Sequence, residues 1–191
     1  MDKCFRHDYV VKKANGLLES QKINSPPILI EKVLKALGVM LRFTNYIDSV
    51  TVKYRDKYII FMNPSGNKTI DKWLISIQLG HIYLGHFEQF KVGKICTECT
   101  EQDPEQKAIL KQEAMFFASE FLIPQKWLKN YDKKIQRLSE IFDVPQGVLL
   151  LKYTQRKRIK EFDTAIKKDD LIARHSKREE PLCGFWKHTL I

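Results

Sequence analysis

The sequence predicts an α+β fold that is mainly helical, with a small three-stranded antiparallel sheet, followed along the chain by a helical hairpin. Apolar residues recur at helical spacing in both halves of the chain, which predicts amphipathic helices. Three short β-like runs lie together between residues 39 and 62. A chain of 191 residues with 43% hydrophobic content can bury one good core.

The predicted elements of the first half are separated by turn residues. Two helices come first, over residues 8–21 and 28–37, and Gly38 ends the second. The strands follow, over residues 39–44, 49–54 and 57–62. A loop then leads to Thr69, which is the predicted N-cap of the next helix.

This next helix, residues 70–86, is apolar on almost every side and is therefore predicted to be buried. Gly80 within it predicts the close approach of another backbone. Residues 87–103 read as a polar loop, after which Pro104 opens a helix that runs to about residue 123. That helix carries Glu113 among apolar neighbours, where a carboxylate is costly unless it is paired or ligated.

Three segments carry a resemblance to a known family. Trp73 to His86 reads WLISIQLGHIYLGH, and Glu113 to Pro124 reads EAMFFASEFLIP. They are similar to the FTIAHELGHIYLGH-type helix and the E-A-x-x-F-A-x-x-L-L-x-P segment of the ImmA/IrrE family of bacterial and phage metallopeptidases. Residues 14–38 are similar to it as well. The resemblance extends over residues 10–155 and implies a zincin-like peptidase core.

Residues 77–81 (IQLGH) stand where this family has the zinc-binding motif H-E-x-x-H. In that motif two histidines one turn apart bind zinc, and the Glu is the general base. The resemblance implies that His81 and Glu113 match two metal ligands. It also implies that Ile77, which has no lone pair, replaces the other histidine, and that Gln78, which takes no proton at neutral pH, replaces the base. No catalytic residue of the motif is then intact.

Two interpretations of this site remain open. In the first, His81 and Glu113 hydrogen-bond each other, Ile77 fills the vacated volume and no cofactor is expected. In the second, zinc is held with the help of Cys96 and Cys99, a C-x-x-C pair that with His81 or His86 and Glu113 would make a closed structural site. A redox role of the two cysteines is less favoured, because no βαβ context surrounds them.

The net charge of +10 favours an acidic partner, and DNA is one candidate. Two short helices over residues 134–156 have the spacing of a helix-turn-helix, although a plain hairpin that closes the core fits the apolar second helix better. A candidate group of DNA-contacting residues follows it: Arg156, Lys157, Arg158 and Lys160. No apolar run is long enough for a membrane span, so we expect a cytoplasmic protein without membrane contact.

We expect three parts: a peptidase-like domain (residues 1–130), a helical hairpin packed on it (131–157) and a charged C-terminal arm with an apolar end (158–191). Members of the resembled family typically cleave helix-turn-helix repressors of bacteria and mobile elements. The resemblance, with Ile77 and Gln78, implies a pseudoenzyme that binds such a repressor of a phage or mobile element and regulates transcription without cutting it. The alternatives are an active zinc endopeptidase with an atypical metal site and a DNA-binding module, for which weak binding is expected.

Overall fold

The computed structural model describes residues 5–45, 49–89, 93–96, 104–131 and 134–154 of the chain. The helices are α1 (His7–Ser20), α2 (Ile30–Ala36), α3 (Lys68–Tyr83), α4 (His86–Gln89), α5 (Pro104–Leu122), α6 (Gln125–Leu128), α7 (Ile135–Phe142) and α8 (residues 146–154). The strands are β1 (Met40–Phe43), β2 (Val50–Tyr54), β3 (Lys57–Met62) and β4 (Lys94–Cys96). The α+β class and the dominance of helix are confirmed.

The sheet differs from the predicted one. Its strand order is β1-β3-β2-β4, with β1 parallel to β3 and the other pairs antiparallel. The expectation of three antiparallel strands is therefore wrong, because β1 pairs with β3 rather than with its neighbour in the chain. The polar loop expected over residues 87–103 is also wrong in part, since it contains most of α4 and all of β4. Both elements are too short to show a periodic pattern.

Helices α3 and α5 are in direct backbone contact at Gly80. A Cβ atom placed on Gly80 would lie 2.9 Å from the carbonyl oxygen of Ala114 and 3.2 Å from a ring carbon of Phe117. This confirms the close approach that Gly80 predicts. Because α3 and α5 carry His81 and Glu113, this contact also sets the distance between the two halves of the candidate site.

The N-cap of α3 is Asn67 rather than the expected Thr69. The Asn67 Oδ1 atom accepts hydrogen bonds from the backbone N–H groups of Thr69, at 3.0 Å, and Ile70, at 3.3 Å. It also accepts one from the hydroxyl of Thr69. Asn is as strong a capping residue as Thr, and the cap fixes the start of the helix two residues earlier than Thr69 would.

The helices α7 and α8 pack on the same core as α1, α3 and α5, through the buried side chains of Leu138, Phe142 and Leu149. Asp143 ends α7 in a left-handed conformation, with φ of 52°. The buried Lys72 of α3 donates from Nζ to the carbonyl oxygen of Phe142 and to Asp143 Oδ2, both at 3.1 Å. Lys72 therefore ties the end of α7 to α3. None of the described helices has the length and apolarity of a membrane span.

We expect Gly80→Ala to destabilise the protein although alanine is the better helix former. Alanine would gain about 1 kcal/mol of helix propensity, but its Cβ would press on the backbone of Ala114, and overpacking of this kind costs about 1–3 kcal/mol. Gly16→Ala is the matched control, because a Cβ at Gly16 of α1 meets no atom within 4 Å. It should stabilise the protein by about 0.5–1 kcal/mol. Chemical denaturation of both variants measures the difference, and an equal gain in both would contradict the close contact.

Candidate functional site

The candidate site is formed by three helices that each contribute one side chain. His81 lies near the end of α3, His86 opens α4 and Glu113 lies in the middle of α5, and all three are buried. The chain turns between α3 and α4 at Gly85, whose φ of 73° suits a residue without Cβ. Because of this turn, two histidines five residues apart in sequence point toward each other.

A chain of hydrogen bonds joins these residues. His81 Nδ1 and His86 Nδ1 are 3.0 Å apart, and His86 Nε2 is 3.0 Å from Glu113 Oε2. The direct bond between His81 and Glu113 expected from the sequence is therefore wrong, because the ring of His86 lies between them. His86 ends the family-like segment 73–86 and is an optional metal ligand in the second interpretation, but the sequence does not predict its bridging position.

Arg6, which precedes Glu113 by 107 residues in the chain, completes its surroundings. Its backbone N–H and its Nε each donate to Glu113 Oε1 at 2.9 Å, and its Nη2 donates to Oε2 at 2.6 Å. A guanidinium group matches a carboxylate with two parallel donors, which makes this the strong, directional form of an ion pair. Glu113 thus accepts four hydrogen bonds in all, three of them from Arg6.

Burial and charge together set the ionisation of the site. Burial alone would raise the pKa of Glu113, but the hydrogen bonds from Arg6 and His86 outweigh it and lower the pKa to about 2. Burial lowers the pKa of His81 well below its ordinary value, and the neighbouring His86 lowers it further. Burial also lowers the pKa of His86, against the opposing effect of Glu113. At neutral pH the site therefore holds an ionised carboxylate and two neutral imidazoles.

These protonation states fix the direction of the hydrogen bonds. An ionised carboxylate only accepts, so His86 donates its Nε2–H to Glu113. The Nδ1 atom of a neutral His86 is then an acceptor, and His81 donates to it from Nδ1. Both nitrogens of His86 are engaged, and His81 keeps one lone pair, on Nε2.

Gln78 is bonded to the sheet rather than to this cluster. Its Oε1 accepts a hydrogen bond of 2.7 Å from the hydroxyl of Thr51 on β2, and its Nε2 donates at 3.5 Å to the carbonyl oxygen of Ser49. The buried amide therefore ties α3 to the sheet. Ile77, next to it, is partly buried, and the expectation that it fills the vacated volume stays a prediction.

The position of α4, and with it His86, is fixed by contacts to the sheet. Glu88 Oε1 accepts hydrogen bonds of 2.6 Å from both Lys53 of β2 and Tyr58 of β3. The ring of Tyr58 also lies 5.3 Å from that of Phe87. These hydrogen bonds lower the pKa of Glu88, chiefly through Lys53 and then Tyr58.

The residues in this arrangement do not fit a hydrolytic zinc centre. Such a centre needs three ligands whose lone pairs point to one ion and leave a position open for water. A carboxylate has about four lone-pair sites, and all of those on Glu113 are occupied by Arg6 and His86. Ile77 offers no donor atom. Among the described residues, no group of three or more His, Cys, Asp or Glu side chains is arranged to hold a metal ion.

The other residues proposed from the sequence are only partly placed. Cys96 ends β4 and Cys99 lies outside the described residues, so their C-x-x-C site stays a prediction. The basic group 156–160 and the C-terminal arm also lie outside the described residues. Arg6 was missed altogether. The only signal for it was the buried position of Glu113, which predicts that some partner exists without saying which.

Comparisons with known proteins agree with this fold. The helices α3 and α5 and the sheet define a metallopeptidase-like α+β domain. Residues 29–156 match the model of the IrrE N-terminal-like domain, the peptidase M78 family, and the chain belongs to this family. No curated protein matches the chain.

Several solved chains match the fold. Among them is a Mycobacterium tuberculosis transcriptional regulator with 15% sequence identity and a TM-score of 0.52. The match covers 75% of this chain and 46% of that one, so this chain spans less than half of the regulator.

We expect Glu113→Gln to remove a part of the acid sensitivity of folding. The folded pKa of Glu113, about 2, lies below the ordinary 4.5, so its contribution is fully present above pH 4.5 and is lost as the pH falls toward 2. The shift corresponds to roughly 3 kcal/mol, an order-of-magnitude figure. The free energy of unfolding measured between pH 6 and 2.5 should therefore fall less steeply in the variant.

The control for this measurement is Glu140→Gln, which changes an exposed carboxylate on α7. It should keep the pH dependence of the unchanged protein. Identical pH profiles for the Glu113 and Glu140 variants would show that the pairing of Glu113 adds no stability.

Proposed function

We propose that the protein is a catalytically inactive member of its family that regulates transcription by binding a protein partner, a helix-turn-helix repressor of a phage or mobile element. The observation that carries the proposal is the state of residues 77 and 78. Ile77 supplies no ligand, and the amide of Gln78 is bonded to Thr51 and Ser49. A side chain that takes no proton at neutral pH, and whose polar atoms already have partners, cannot act as a general base.

The rest of the domain supports a binding role. The contact between α3 and α5 at Gly80 and the tether between Gln78 and the sheet keep the frame of the peptidase fold intact. A frame of this kind retains a surface for a protein even when the chemistry is lost. The repressor is proposed as partner because the resembled family acts on repressors, and the net charge of +10 favours a partner with an acidic surface.

The test uses the purified protein and the helix-turn-helix repressor encoded nearest to its gene. The two should co-elute in size-exclusion chromatography, because the proposal requires a stable complex. After incubation with and without added zinc, the intact mass of the repressor should be unchanged. Repressor fragments formed at a substoichiometric amount of the protein would overturn the inactive assignment and favour a zinc endopeptidase with an atypical site.

The matched variant for this test is Ile77→His with Gln78→Glu. It supplies the missing imidazole one helical turn before His81 and the missing base, so we expect zinc to raise its unfolding temperature more than that of the unchanged protein. Equal, small effects of zinc on both proteins, also when Arg6→Met releases Glu113 for an ion, would show that residue 77 does not face His81. In that case the assignment of residues 77 and 78 to the family's metal site would be wrong.

A further inference from the structure

We infer that Arg6 takes the place of a metal cation at this site. Its guanidinium is the positive charge that allows Glu113 to be buried. The segment around it, residues 5–7 (the N-terminal strap), packs against α5 and holds the guanidinium at Glu113. The inference goes beyond the proposed function, since it concerns how the site is held together and does not depend on any partner.

The first argument is the balance of charge. Glu113 has a side chain only 1% exposed, and an ionised carboxylate at such a place is costly unless an opposite charge and donors surround it. Arg6 provides both, with three hydrogen bonds and a full positive charge. His86 provides a further hydrogen bond. In a zinc enzyme the ion itself supplies the charge to the glutamate ligand, so Arg6 and a metal would have the same electrostatic role here.

The second argument is that Arg6 is held in place by its own neighbours. The ring of Phe5 lies 5.4 Å from that of Phe116, edge to face, and the ring of His7 lies 4.8 Å from the same phenylalanine. The guanidinium also lies 4.7 Å from the centre of the Tyr9 ring. A side chain fixed on both sides loses little additional entropy when it pairs, unlike a flexible surface arginine.

The third argument is that Arg6 and a metal exclude each other. Each oxygen of Glu113 already accepts two hydrogen bonds, and three of these four come from Arg6. An ion could bind Glu113 only after the N-terminal strap had moved away. The described site should therefore be stable without metal. A fold that depends on a metal ion would instead lose stability when the ion is removed.

The experiment is a double-mutant cycle read by thermal unfolding, with Arg6→Met, Glu113→Gln and the double variant, each in EDTA and in added zinc chloride. The unfolding temperature of the unchanged protein should be the same in EDTA as in its absence. Arg6→Met should lower it by roughly 5–15 °C, because removing one partner leaves a buried charge uncompensated. The double variant should lose less than the sum of the single losses, because the two residues act as a pair.

Arg42→Met is the matched control, since Arg42 is an exposed arginine on β1. It should shift the unfolding temperature by no more than about 1–2 °C. Two results would overturn the inference. One is a loss of several degrees in the unchanged protein on adding EDTA that disappears in Glu113→Gln, and the other is strict additivity of the two single losses.

If Arg6→Met does not fold, the comparison of Arg6→Lys with Arg6→Gln takes its place. Lysine keeps the positive charge but lacks the forked donors, whereas glutamine keeps donors but no charge. The lysine variant should unfold at the higher temperature. Equal unfolding temperatures would show that Arg6 acts through packing rather than as the counter-charge of Glu113, and would overturn the inference.

Discussion

One buried carboxylate organises the centre of this protein. Glu113 lies on α5 and is reached by a residue that precedes α1 and by one that opens α4, so three separate parts of the chain meet at two oxygen atoms. An uncompensated charge at that depth would cost several kcal/mol. The positions of the segment before α1 and of α4 are therefore not free to vary independently of α5. This site is therefore essential for the arrangement of the elements around it, whatever its chemistry.

The geometry of the site depends on small groups as much as on charged ones. Gly80 allows α3 and α5 to touch through their backbones, and Gln78 holds α3 against the sheet from the opposite side. Together these two contacts hold α3, which carries His81, in place between α5 and the sheet. Gln78 thus has a structural role, because a buried amide with two partners stabilises the junction of helix and sheet.

Sequence patterns predicted the local features well and the distant ones poorly. Long amphipathic helices, the close contact at Gly80 and the need of Glu113 for a partner all follow from residue types and spacing. The parallel pairing of β1 with β3 does not, because strand direction depends on where the chain returns to the sheet. Arg6 could not be chosen from 33 lysines and arginines, since nothing in the local sequence encodes a contact across 107 residues.

The separation of Arg6 and Glu113 in the sequence also affects how the chain folds during synthesis. Arg6 leaves the ribosome before its partner on α5, which follows only after 106 other residues have been added. Contacts between residues so distant in sequence carry a large loop-closure entropy and tend to form late in folding. Helix α1 therefore lacks its packing partner α5 until most of the domain has been translated. A nascent chain interrupted before α5 would expose both an unpaired guanidinium and the apolar faces of α1 and α3.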